Sequence, residues 1–138
     1  MKIKLIDFGA GKAGMLPLRA HHNDAGADVY ALETFRAWPK STTKVPLGFG
    51  LELPDGMVGY IFPRSSLASK GLIAELPPID SGYRGEIHAI LTNHSQSDIW
   101  IEKGSRIGQL VILPVVLPDL TLETLDERGT GAFGSTGK

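Results

Sequence analysis

The chain has 138 residues, 42% hydrophobic and 21% charged, which fits one ordinary globular domain and excludes a disordered or fibrous architecture. With 14 Lys and Arg against 15 Asp and Glu, and a net charge of −1, it lacks the strongly basic surface of a nucleic-acid binder, so no nucleic-acid partner is expected and a charged small molecule stays open. The absence of cysteine excludes disulfides and thiolate chemistry.

The amino-terminal MKIKLIDFGAGKAG holds no continuous apolar run of signal-peptide length, and nowhere do about 18 apolar residues follow one another. A cytoplasmic protein without a membrane partner is the expectation. Residues 2–6 read as the first strand. Next comes Phe8-Gly9-Ala10-Gly11-Lys12-Ala13, with the look of a phosphate loop, but a Walker A motif needs Gly at position 6 and Ser or Thr at 13, where Ile6 and Ala13 stand. His21-His22 suggests metal only superficially, because strand neighbours point to opposite faces and no Cys completes a site. Further strands are expected over 28–32, 44–53, 58–62, 86–92, 98–101 and 106–117, separated by turn formers such as Pro54-Asp55-Gly56, Asp80-Ser81-Gly82, Asn93-His94-Ser95 and Lys103-Gly104. Only 65–70 reads as a helical turn, and the isolated His88 and His94 read as surface or turn residues. The fold class is all-β, a sandwich or barrel. The last eleven residues, RGTGAFGSTGK, carry one large apolar side chain, Phe133, too little to order themselves, and predict a mobile arm. The body is expected over 1–120, with 121–138 a separate terminal strand and arm.

Five blocks carry groups suited to triphosphate chemistry. Ala25-Gly26-Ala27-Asp28-Val29-Tyr30-Ala31 sets Asp28 at the start of an apolar strand. Pro63-Arg64-Ser65-Ser66-Leu67-Ala68 offers a guanidinium fork, two hydroxyls and the amides of a helical start, all able to bind phosphate oxygens, although an ordinary N-cap looks the same. Pro78-Ile79-Asp80-Ser81-Gly82-Tyr83-Arg84-Gly85-Glu86 places a carboxylate and an aromatic ring three residues apart around a glycine turn; a carboxylate facing a water beside such a ring is a reasonable general base. Arg106-Ile107-Gly108-Gln109-Leu110-Val111 puts an amide that needs partners on an aliphatic strand. The fifth block, residues 128–137, combines Arg128, free amides, hydroxyls and Phe133 in a segment able to close over a nucleotide.

In this order and spacing the five blocks closely resemble the motifs of the trimeric dUTP pyrophosphatase (dUTPase) family, from residue 25 to 138. The resemblance implies a jelly-roll-like distorted β barrel in a homotrimer, each site lying at a subunit interface and closed by a neighbour's flexible carboxyl-terminal arm. It implies a dUTP diphosphatase that uses Mg²⁺. By the same resemblance Asp80 orients the attacking water, and Tyr83 lies under the deoxyribose, leaving no room for a 2′-hydroxyl. Asp28 and Gln109 hold the hydrated metal and phosphate network, with the metal bound mainly by the substrate phosphates. Arg64, Ser65 and Ser66 contact phosphate, and Arg128 meets the γ-phosphate. Phe133 stacks on uracil, and Gly134, Ser135 and Thr136 wrap the phosphates. Water attack on the α-phosphorus then gives dUMP and pyrophosphate.

Two segments depart from the family pattern. A small-residue run usually precedes the Ile-Asp, where backbone groups of a hairpin recognise uracil, whereas this chain has Leu76-Pro77-Pro78. Proline has no N–H, so base reading there must use carbonyls, Leu76, Ala74 or a displaced hairpin. Ala132 stands where the arm commonly has glycine. A related dCTP deaminase would need a glutamate where Ile90 stands, and without that carboxylate deamination lacks its proton shuttle. A non-catalytic trimeric module is the reading from another class, since folds of this kind also serve as lectin and capsid units.

Overall fold

A computed structural model describes residues 1–125. Among them the elements run β1 (Lys4–Asp7), α1 (Ala10–Ala13), β2 (Ala27–Tyr30), β3 (Phe35–Ala37), β4 (Thr42–Pro46), β5 (Phe49–Glu52), β6 (Met57–Phe62), α2 (Ser65–Ala68), β7 (Leu72–Ala74), β8 (His88–Asn93), β9 (Ile99–Ile101) and β10 (Arg106–Pro114). The protein is mostly β, as its alternating segments and turn formers predict. Its strands pair antiparallel in four small sheets, ordered β1-β5, β2-β10-β6, β3-β9 and β4-β8-β7. Among the described residues no helix is long and apolar enough to cross a membrane.

Every strand but β1 contributes buried residues to a common core. In β8 the buried positions alternate, Ala89, Leu91 and Asn93, while His88, Ile90 and Thr92 stay half-exposed. Phe49, Leu47, Leu51, Leu72, Leu91, Ile107 and Val29 fill the centre, each contributing about 1.5–3 kcal/mol by leaving water. The one buried polar side chain among the described residues, Asn93, is 0% exposed. Its amide nitrogen donates to Ala37 O (2.9 Å) and Ser97 O (2.8 Å), and its oxygen accepts from the Ser95 amide (2.9 Å) and hydroxyl (2.7 Å). All its polar capacity is used, which makes burial tolerable.

The expected strand 44–53 is two strands. Gly48 breaks it at φ 75°, where a side chain is strained and where a Cβ would come within 2.8 Å of the Ala10 amide. The break is fixed from both sides: Gly48 N–H donates to Glu86 Oε2 (2.8 Å), and its carbonyl accepts from Phe8 and Ala10. Strands β3 and β7 were not expected; at three residues each they show no usable alternation. The strand expected to run to 117 ends at Pro114, followed by one further bond, Val115 N–H to Gly56 O at 2.8 Å. Residues 115–125 carry apolar side chains into solvent, with Leu120 92% and Leu122 98% exposed.

The glycine loop at 9–14 is closed by the protein's own anion. Asp7 Oδ1 accepts from the amides of Gly9 (2.7 Å) and Gly11 (2.9 Å), ahead of the short helix α1. The loop amides that face Asp7 thus already have a carboxylate, in keeping with rejection of a phosphate loop.

Candidate functional site

The middle strand of the β2-β10-β6 sheet gathers the first group of expected residues. Gln109 lies opposite Asp28 of β2 and Phe62 of β6. Its amide nitrogen donates to Pro63 O at 3.1 Å, the partner that a half-buried amide requires. Gly26 makes room for this side chain, since a Cβ there would sit 2.2 Å from Gln109 Oε1. Between Arg106 and Gly108 the register shifts, so that Arg106 faces Tyr30 while Gln109 faces Asp28. Residues three apart on a regular strand point to opposite faces; the extra residue of this bulge returns Arg106 and Gln109 to one face. The Arg106 guanidinium accordingly lies 3.7 Å from Asp28 Oδ2. Gly108 permits the close packing, as a Cβ would meet Ile61 Cγ2 at 2.9 Å.

Arg64 stands at the cap of α2 in extended conformation, and no side-chain hydrogen bond caps that helix. The serine hydroxyls of Ser65 and Ser66 are exposed rather than spent on capping. Arg64 Nη1 donates to Arg106 O at 3.4 Å, and Arg64, Ser66, Lys70 and Arg106 line one cavity of about 540 Å³. Three cationic side chains and two serine hydroxyls against one carboxylate, Glu102, leave this concavity net positive, which suits an anionic chain such as a polyphosphate.

Asp80 and Tyr83 belong to a second concavity. Ile79 exchanges backbone hydrogen bonds with Gly59 (2.8 and 3.1 Å), and this bridge anchors the segment that presents Asp80. A turn follows, closed by Tyr83 N–H to Asp80 O at 3.1 Å. The Tyr83 ring then folds back across Gly85, where a Cβ would lie 2.6 Å from the phenol oxygen, and its hydroxyl donates to Glu86 O at 2.7 Å. Both side chains line a cleft of about 230 Å³ together with Lys44, Glu75, Pro77, Pro78 and His88. The Asp80 carboxylate is exposed and enters no ion pair among the described residues.

The structure therefore brings Asp80 to Tyr83, Asp28 to Gln109, and Arg64 to Ser66. It does not bring these together in one concavity: neither Asp28, Gln109, Arg64 nor Ser66 lines the cleft of Asp80. Arg128, Phe133, Gly134, Ser135 and Thr136 lie outside the described residues. The sequence reading assigns no role to Arg106, Lys44 or Glu86, and takes His88 for a surface or turn residue. Instead His88 lies inside β8 and lines the cleft, Arg106 pairs with Asp28, and Glu86 clamps Gly48. His21 pairs with Asp24 at 3.0 Å in an exposed turn, and among the described residues no cluster of three His, Asp or Glu is disposed to hold a metal.

The dUTPase family model matches residues 12–137. The deoxyuridine 5'-triphosphate nucleotidohydrolase of Clostridium tetani is 40% identical over 144 residues, covering 100% of this chain and 97% of that protein. That of Mycolicibacterium gilvum is 42% identical over 134 residues, covering 88% and 87%. Among solved structures, the dUTPase of Staphylococcus bacteriophage 80alpha in complex with dUPNHPP is 29% identical with a TM-score of 0.79, covering 99% of each chain. The dUTPase of phage phi11 of S. aureus, described with a structural Mg(II) ion, shares the fold at 23% identity and a TM-score of 0.82, covering 92% of this chain and 99% of that one. Matched by the family model over residues 12–137 and 40% identical to a relative over its whole length, the chain belongs to the dUTPase family.

Proposed function

We propose that the protein hydrolyses dUTP to dUMP and pyrophosphate, with Asp80 as the base. The observation that carries this reading is an exposed carboxylate, unpaired among the described residues, sharing a cleft with the Tyr83 ring. Asp80 takes a proton from a water whose oxygen attacks the α-phosphorus. The bond to the bridging oxygen breaks, and pyrophosphate leaves with the electron pair. Tyr83 packs under the deoxyribose, where a 2′-hydroxyl would collide with the ring. Arg64, Ser65 and Ser66 hold the phosphates, and from the carboxyl-terminal segment Arg128, Phe133, Gly134, Ser135 and Thr136 close over the nucleotide.

The donors present fit Mg²⁺ as a cofactor. Asp28 and the Gln109 side chain face each other across β2 and β10, and one carboxylate with one amide suits a small hard cation that keeps its waters and is bound chiefly by phosphate oxygens. When bound, Mg²⁺ offsets the charge that develops on the leaving pyrophosphate.

A homotrimer of jelly-roll-like barrels accounts for two further features. A cleft of about 230 Å³ is below the roughly 300–1,000 Å³ of pockets that enclose a whole ligand. It suits base and sugar, while the phosphate-binding groups of the same chain lie in another concavity. A second copy supplying Arg64, Ser66 and Gln109 completes the site. The exposed Leu120 and Leu122 give such copies apolar surface to bury. On this reading 1–120 is the barrel, and 121–138 serves a neighbouring site.

Pyrophosphate release with Mg²⁺ from dUTP, dTTP, dCTP and UTP, measured side by side, tests the proposal. A clear preference for dUTP is expected; equal rates on all four would defeat it.

A further inference from the structure

Tyr83 is held by more than its own turn. Its hydroxyl donates to Glu86 O at 2.7 Å, and His88 Nδ1 lies 3.2 Å from the same oxygen. A carbonyl only accepts and has two lone pairs, so both donors are met there. The direction of this one carbonyl sets where the phenol ring lies in the cleft, and the ring is as steady as the carbonyl's own anchorage.

Three bonds fasten residues 86 and 87 to the bend between β4 and β5. Ile87 N–H donates to Phe49 O (2.9 Å), Leu47 N–H donates to Ile87 O (3.0 Å), and Gly48 N–H donates to Glu86 Oε2 (2.8 Å). The first two are backbone pairs that any residue at 86 would leave in place. The third depends on one half-buried side chain, and an amide that donates to a carboxylate makes a stronger bond than a neutral pair. It also falls on the bend itself, where Gly48 has φ 75° and its carbonyl accepts from Phe8 and Ala10. The two segments approach closely, since a Cβ on Gly50 would sit 2.7 Å from Gly85 O. Although Glu86 borders the cleft, its Oε2 is thus engaged with the scaffold.

We propose that Glu86 is a positioning residue for Tyr83: its carboxylate, locked on Gly48 N–H, fixes the carbonyl that holds the phenol, and so sets how tightly the ring closes on the sugar. The ring excludes a 2′-hydroxyl only while it cannot retreat, and a displacement of about 1 Å is enough to change such a fit. The inference rests on Tyr83 lying under the deoxyribose, as in the proposed reaction, and its test separates the two.

The deoxy preference is read as kcat/KM for dUTP against UTP and as dUMP against UMP affinity by calorimetry. The proteins compared are the wild type, Glu86→Ala, Glu86→Gln, Glu86→Asp, Tyr83→Phe, Tyr83→Ala and the double variant of Glu86→Ala with Tyr83→Phe. The preference is expected to fall about tenfold in Glu86→Ala. Glu86→Gln, which keeps the reach and an accepting oxygen, should retain most of it. Glu86→Asp keeps the charge but loses the reach, should behave like Glu86→Ala, and decides the matter if Glu86→Ala does not fold. Because Glu86 acts through the phenol hydroxyl, the double variant should lose no more than Tyr83→Phe alone. Losses that multiply in the double variant, or a preference untouched in Glu86→Ala and Glu86→Asp but abolished in Tyr83→Ala, overturn the proposal. A preference that survives Tyr83→Ala as well overturns the placing of Tyr83 under the sugar. A protein that shows the expected pattern in binding yet releases no pyrophosphate overturns the hydrolase reading and leaves the positioning role standing.

Discussion

Gly26 and Gln109 are packed so closely that the position a Cβ on Gly26 would occupy lies 2.2 Å from the Gln109 side-chain oxygen. The missing side chain is what lets the amide sit between Pro63 O and the Asp28 strand. Gly26→Ala is expected to displace Gln109 and lower kcat/KM by about tenfold, at an overpacking cost of about 1–3 kcal/mol. Steady-state kinetics beside urea unfolding will show it. A fully active Gly26→Ala would mean that the placement of Gln109 is immaterial.

Asp80→Asn removes the proton acceptor and keeps the shape of the cleft. Pyrophosphate release from dUTP should drop by about 10²–10⁴-fold while dUMP affinity stays close to that of the unmodified protein. Retained turnover would assign the base elsewhere.

The Asp7 carboxyl is held below its ordinary value of 3.8, chiefly by the Gly9 amide and then by that of Gly11. Its folded pKa is depressed, so the stabilisation is complete above the unfolded value and fades as pH falls through the folded one. The difference in melting temperature between the wild-type protein and Asp7→Ala should be constant near neutrality and narrow below about pH 3.8. A difference independent of pH would contradict the role of the charge.

Asn93→Ala strips hydrogen bonds from Ala37 O and Ser97 O inside the core. A loss of about 3 kcal/mol or more is expected in urea unfolding, without a change in nucleotide selectivity.

Truncation before Arg128 should leave melting and assembly intact and lower turnover strongly. Undiminished hydrolysis by the shortened chain would remove Arg128 and Phe133 from the mechanism.

Much of this organisation was legible in the residues, for identifiable reasons. Asp80 and Tyr83 share a cleft because one turn joins them, and a turn is a local feature that spacing reveals. The long apolar runs of β6, β8 and β10, bounded by turn formers, were likewise readable. The Asp28–Arg106 pair was not, because it depends on a register shift between strands far apart in sequence. Strands β3 and β7 escaped for want of length, and the division of residues 44–53 escaped because nothing local to Gly48 shows that Glu86 and Ala10 hold it. His88 was misjudged because a lone histidine has no pattern of its own; only the pairing of β4 with β8 places it beside Lys44.

The separation of Asp80 from Arg64 into different concavities of one chain has a genetic corollary. On the proposed homotrimer, Asp80→Asn and Arg64→Ala would damage opposite halves of a shared centre. Co-expressed in one cell, the two inactive variants would pair an intact half from each, and pyrophosphate release from dUTP would return where neither variant alone supports it.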